Sequence, residues 1–341
     1  MTLSEQWETN PLGGRAQFNK PAVDPQNPDN VYVGGLQDAF KVLTKSDGES
    51  SPWSLDRAGK PGLSDCSGYR HKGDVIFGSG QGKLFTCNAD DGDIKWEVRT
   101  GNWSGRSDSA VTARPVVGSD DLVHAATNDG GILTYEYETG NRVWSTDIAG
   151  TGDGVYAPLR RDGGLIYATT KEGDLVVLEA TDPGDIQWRE SFVPFGNSGP
   201  ALGDGKVYVA GDEVHAYEAA STETPVWSSS GFGGAVGSTP AYSDKTVYVG
   251  SEDGNIYSIS TADGSIDWTY PTDGPVAGGP AVNADGTQIA VVSTDGNLYL
   301  LDDSGAEIQT ISIAKDSRST PTFQDGVLYF GDRDGIVRKY A

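Results

Sequence analysis

The sequence predicts an all-β fold, an eight-bladed β-propeller of four-stranded antiparallel blades, and three observations predict it. A phrase of four short strands parted by Gly/Asp/Asn turns recurs along the 341 residues. Tryptophans punctuate the recurrence at intervals near 40 residues. The chain ends one strand short of a unit and begins with one strand to spare.

Taken in order, the elements are these. MTLSEQWETN is a short strand around Trp7 with no unit before it. The tryptophans that follow stand at 53, 96, 144, 188, 227 and 268, giving spacings of 46, 43, 48, 44, 39 and 41. A further 41 residues lead to Gln309 in AEIQTISI, where the phrase is intact but Gln replaces Trp. The clearest copies are YAPLRRDGGLIYATTKEGDLVVLEATDPGDIQW, SGPALGDGKVYVAGDEVHAYEAASTETPVW and STPAYSDKTVYVGSEDGNIYSISTADGSIDW. Each holds four runs rich in Val, Ile, Tyr and Thr, bounded by turns of the kind that close hairpins. No window carries a sustained helical period. The last unit, STPTFQDGVLYFGDRDGIVRKYA, stops after three strands. If Trp7 supplies the fourth, beside Tyr329, the array closes into a ring and leaves no open sheet edge, whereas a linear array needs capping repeats. Residues 1–341 then form a single propeller domain, with residues 1–10 completing the last blade. Trp103 lies outside the series and reads as a loop residue.

The segments NADDGDIKW, EYETGNRVW, LEATDPGDIQW and STADGSIDW resemble the outer half of the PQQ-like, or quinoprotein-type, propeller repeat: a strand, an A-x-[DT]-x-x-G turn and a terminal Trp. The resemblance spans essentially the whole chain. It implies that Trp7, Trp53, Trp96, Trp144, Trp188, Trp227 and Trp268 each dock one blade on the next, with the indole N–H given to a backbone carbonyl. It also brings in a cofactor question, because the family's dehydrogenases bind pyrroloquinoline quinone with calcium and carry adjacent cysteines. Here Cys66 and Cys87 are far apart and fit no metal or redox spacing, so no cofactor is expected; the repeat alignment puts them on non-neighbouring strands of one unit, so the expectation is two reduced thiols, with one disulfide as the alternative. PQQ with calcium stays as the alternative.

Acidic residues number 49 against 25 basic ones, a formal net charge of −24. Turn chemistry explains many of the aspartates but not the twofold excess. The pattern resembles proteins of halophilic archaea; an ordinary acidic extracellular protein is the alternative. Nucleic acid and anionic membrane are disfavoured as partners, since no basic patch meets phosphate. No run approaches a membrane-spanning length, so direct insertion is not expected. The N-terminus has neither a basic start nor an apolar stretch, so the location is cytoplasmic as written, or cell surface if a leader has been removed. The sequon at Asn102 matters only in the second case.

Catalytic motifs are absent. GTGDG and GFGGAVG match no nucleotide fingerprint and precede no helix. His71, His124 and His215 stand singly, His124 and His215 at strand positions that other blades fill with Val249 and Tyr257. Asp-rich turns such as GDRDG lack the spacing of a calcium loop. One constellation remains. Aligned at their proline, the loops leading into each blade read GGRAQF, LSDCSG, VTARP, GVYAP, GNSGP, VGSTP, AGGP and SRSTP. Such loops converge on a channel mouth, and Arg15, Asp65, Arg114, Tyr156, Asn197 and Arg318 are their large or charged members. Three arginines there, in an acidic body, suit an anion or an acidic peptide; alternatively each pairs with a neighbour such as Asp65, Asp108 or Asp316. The short DG turns are expected on the opposite face. The function expected is a non-enzymatic, monomeric scaffold that presents a rigid disc to a protein or peptide partner, as the lipoprotein of bacterial outer-membrane assembly does. A small-molecule or redox enzyme and a ligand-sensing cell-surface module are the alternatives.

Overall fold

Burial along each repeat unit falls from the second and third strands outward. Thr246–Gly250 and Asn255–Ser260 are buried on both faces, whereas the outer strand Ile186–Ser191 buries little besides Trp188. This is the gradient expected when sheets stand face to face around an axis and only their outer edges meet water. The structure, a computed structural model, describes residues 2–10, 21–23, 30–34, 40–44, 46–55 (backbone only for 50–55), 68–101, 109–148, 154–181, 183–192, 198–220, 224–313 and 316–341.

Eight four-stranded antiparallel sheets are present. Blade 1 is Ala22–Val23, Asn30–Gly34, Phe40–Thr44 and Ser50–Leu55. Blades 2 to 7 follow, with inner strands Tyr69–His71, Val116–Val117, Arg160–Asp162, Ala201–Gly203, Ala241–Ser243 and Ala281–Val282. Blade 8 takes Thr322–Gln324, Val327–Gly331 and Val337–Tyr340, and its fourth strand is Glu5–Thr9 from the other end of the chain, with Trp7 opposite Lys339. Around the axis the inner strand of blade 8 lies against that of blade 1, where the Thr322 hydroxyl donates to Pro21 O at 2.7 Å.

The ring is fastened at the seam by polar contacts. Ser4 and Ala341 exchange backbone hydrogen bonds of 2.9 and 3.0 Å. Gln309, standing where other blades have Trp, accepts from Leu3 N (2.7 Å) and donates to Leu3 O (3.0 Å). A primary amide offers both a donor and an acceptor, which an indole does not. Arg338 is buried against Asp332 at 2.6 Å and reaches Glu8 of the N-terminal strand at 3.3 Å.

Elsewhere the tryptophans lie on the next blade's third turn. A Cβ on Gly48, Gly140, Gly184, Gly264 or Gly305 would come within 2.5 to 2.9 Å of the indole of Trp7, Trp96, Trp144, Trp227 or Trp268 respectively, and each glycine has φ between 71° and 84°. Turn geometry and the ring's approach therefore select the same residue. Trp96, Trp227 and Trp268 donate from Nε1 to Tyr137 O, Thr261 O and Asp303 O at 2.6, 3.0 and 3.0 Å. That carbonyl is contested. At the junction of blades 4 and 5 it is Ala219 O, and Tyr167 OH takes it at 2.9 Å, leaving Trp188 Nε1 without a partner. One junction on, Trp227 holds Thr261 O and the Tyr208 hydroxyl does not reach it.

Candidate functional site: the channel and its mouth

The lead-in loops of blades 6 and 8 show an alternating burial as they run into their inner strands. In blade 6, Val236, Ser238 and Pro240 are buried while Gly237, Thr239 and Ala241 are partly exposed; in blade 8 the same pattern places Ser317, Ser319 and Pro321 inside. The buried set anchors the loops to the preceding blade's second turn: Val111 N to Ser79 O, Val155 N to Thr127 O, Val236 N to Gly211 O and Val276 N to Ser251 O, at 2.8 to 3.1 Å. The alternate set faces the axis, where a cavity of about 300 Å³ is walled by Arg160, Thr239, Ala241, Ala281, Thr320 and Thr322 among others.

Counted from the buried anchor, the channel side has three levels. The first holds Thr112, Tyr156, Gly237, Ala277 and Arg318; the second Arg114, Pro158, Thr239, Gly279 and Thr320; the third Val116, Arg160, Ala241, Ala281 and Thr322. Tyr156 and Arg318 thus share the outermost level and Arg114 lies one level deeper, with its guanidinium 5.3 Å from the centre of the Tyr69 ring. Arg15, Asp65 and Asn197 lie outside the described residues, as do Cys66, Trp103 and Asp108.

Arg160, on the third level, is absent from the set read from the sequence. The segments compared in the sequence end at the proline, and Arg160 lies two residues beyond Pro158. Carrying the comparison two residues past the proline would have found it.

Three further expectations are corrected. Asp316 is engaged by Arg333 at 2.7 Å, so it is not the partner of Arg318, whose Nε is buried without a hydrogen bond. The DG turns are not confined to the opposite face. Those joining second and third strands are tied to the lead-in loops, with Gly233 N donating to Asp253 Oδ2 at 2.7 Å and Asp273 N to Asp295 Oδ2 at 3.1 Å. Third, strand register places His124 level with Tyr248, not Val249, since His124 opposes Thr134 as Tyr248 opposes Ser258.

That shift has a chemical consequence. His124 is fully buried; its Nε2 accepts from Arg161 Nη1 at 3.1 Å, so its proton sits on Nδ1 and is donated to Thr134 Oγ1 at 2.8 Å. Arg161 also forks onto Asp120 of blade 3 with two bonds of 2.6 Å. Burial, then the adjacent guanidinium, push the imidazole down to about 3. His71 pairs with Asp121 at 2.8 Å, and His215 with Ser228 at 2.8 Å. All three hold blades together or stand within sheets; none is on the cavity wall.

The described residues do not fit the quinone and calcium of the dehydrogenases. Among the described residues, no group of three or more His, Cys, Asp or Glu is placed to hold a metal ion. Cys87 is a free thiol sealed in the core of blade 2, pushed up to about 12 by burial, and faces no channel. No described helix is long and apolar enough to cross a membrane.

The family model described as outer membrane protein assembly factor BamB matches residues 5–182 and 171–318. The chain belongs to that family. The protein of that name from Yersinia pestis is 27% identical over 248 residues, 69% of this chain and 60% of its own length. One from Shewanella oneidensis is 26% identical over 125 residues, 35% of this chain and 28% of its own. The chain therefore matches less than two thirds of these relatives' length. Among solved structures, BamB from Moraxella catarrhalis superposes with a TM-score of 0.74 at 18% identity, covering 100% of this chain and 98% of the other. The quinohemoprotein alcohol dehydrogenase of Comamonas testosteroni gives 0.80 at 13% identity, over 99% and 76%. At such identities the likeness is one of fold.

Proposed function

We propose that this protein is a non-enzymatic scaffold that presents a rigid disc to a protein partner, and that the partner docks on the face carrying the lead-in loops. The observation that carries the reading is the family match from residue 5 to residue 318, whose description names an assembly factor rather than a catalyst. The docking mode is what is proposed, rather than the particular assembly for which the relatives are named. Those names favour the cell surface over the cytoplasm for this chain.

The contact set on this chain is Arg318, Tyr156 and Arg114, with Arg15, Asp65 and Asn197 by sequence. Cationic side chains at the mouth of a −24 body focus a local positive field on an acidic peptide segment. We read the protein as monomeric and its charge as an adaptation to concentrated salt. The test is co-purification from the producing cells with the wild-type protein and with R114E/R318E. Partners retained by the wild type and lost by the folded double variant support the reading; identical partner sets contradict it.

A further inference from the structure

We propose that the channel holds a binding site for a primary carboxamide, with Thr239 and Thr320 donating to its oxygen and Thr322 accepting from its nitrogen. The site lies below the mouth and does not rest on the protein-docking reading.

The hydroxyls of the cavity wall differ in the sense of their hydrogen bonds. Gly199 N donates to Thr239 Oγ1 at 2.9 Å, and Gly279 N donates to Thr320 Oγ1 at 3.0 Å. Both oxygens are thus acceptors toward the neighbouring blade, and neither O–H finds an acceptor among the described residues. Thr322 is the reverse. Its proton goes to Pro21 O at 2.7 Å, so its oxygen keeps lone pairs for an incoming donor. All three side chains are partly exposed and line the cavity of about 300 Å³. The wall therefore presents two donors and one acceptor whose senses are set by the fold.

Their placement brings these groups together. A Cβ on Gly279 would lie 2.8 Å from Thr239 O and 3.0 Å from Thr320 Oγ1, so blades 6 and 8 close on this glycine from either side. Thr322 follows Thr320 by two residues, about 6 to 7 Å along an extended chain. Pro158, Pro240, Pro280 and Pro321 stand on the same wall, and a proline has no N–H with which to compete as a donor. Arg160 is engaged, its Nη1 donating to Leu159 O at 3.3 Å, and the site is built without it.

The complement of this set is one strong acceptor beside a donor. A primary carboxamide has a carbonyl oxygen with two lone pairs, which suits the two hydroxyls, and an NH2, which suits Thr322. With a hydrogen bond of about 2.9 Å at each end, it spans the interval from Thr320 to Thr322. A carboxylate has only acceptors and would set an oxygen against Thr322 with no proton between them. Ala201, Ala241 and Ala281 leave room for a short aliphatic stem. A free small amide and the side chain of Asn or Gln on a peptide carry the same group.

The test is a saturation-transfer NMR titration of the whole protein with propionamide, with sodium propionate and N,N-dimethylpropionamide as probes that lack the amide N–H. Saturable propionamide binding is expected, with both other probes weaker. T239V/T320V should weaken it about tenfold or more through loss of both donors, and T239S/T320S, which keeps the hydroxyls, should restore it. Should T239V/T320V fail to fold, Ala241→Leu, which fills the lumen and leaves every threonine in place, is expected to abolish binding. Tighter binding of N-acetylglutamine methylamide than of propionamide would assign the group to a peptide side chain; weaker binding would assign it to a free amide. No saturable propionamide binding by the wild type, propionate bound as tightly as propionamide, or equal binding by wild type and folded T239V/T320V would each overturn the assignment.

Discussion

At the residue scale, the blade junctions turn on which group wins one carbonyl. Trp227 has its N–H bonded to Thr261 O, whereas Trp188 has lost the equivalent Ala219 O to Tyr167. Replacing either indole by phenyl removes similar packing, but only Trp227→Phe also removes a hydrogen bond. It should therefore cost about 1 kcal/mol more than Trp188→Phe, read from paired denaturant titrations; equal costs would refute the assignment. His124 makes a second prediction. Its folded-state value of about 3 lies below the ordinary 6.5, so the unfolded chain binds the extra proton as pH falls. Stability from this group is present above about pH 6.5 and is lost toward pH 3, at up to about 1.4 kcal/mol per pH unit. His124→Gln, which cannot titrate, should lose stability less steeply than the wild type over that window. Parallel acid limbs in the two melting profiles would sink the claim.

At the element scale, the eight blades and their seam were legible because tryptophan spacing and mismatched chain ends are both visible in one dimension. The loop levels were less so. A proline marks the lead-in loop but does not end its channel-facing run, and Arg160, two residues past Pro158, lay beyond the segments compared. The position of His124 slipped by one because short strands carry few landmarks. Gln309 could be read only as a missing Trp, since its bonds to Leu3 join residues 306 apart. Deleting residues 1–10 should remove the Leu3 clamp and the fourth strand of blade 8, leaving Val337–Tyr340 as an open edge. The truncated protein should melt at lower temperature and aggregate, as followed by light scattering; unchanged melting without aggregation would mean the seam contributes nothing.

At the scale of the whole molecule, a net charge of −24 opposes compaction through self-repulsion, and salt near 1 M shortens the range of that repulsion to about 3 Å. The melting temperature should climb steeply from low salt to molar KCl, and a flat profile would remove the halophilic reading. The same charge would make the channel mouth distinctive, since Arg318 and Tyr156 stand on its outermost loop level and Arg114 one level deeper. Among the described residues, the large apolar side chains exposed on the outer strands include Ile94, Ile186 and Ile266. The central claim is that a protein partner docks on the mouth. It is tested most directly by placing a photo-crosslinking amino acid at Tyr156 or at Ile266, in producing cells, and identifying the adducts by mass spectrometry. The account predicts a defined protein adduct from position 156, abolished by R114E/R318E, and none from position 266. An adduct from position 266 with none from position 156 would contradict it.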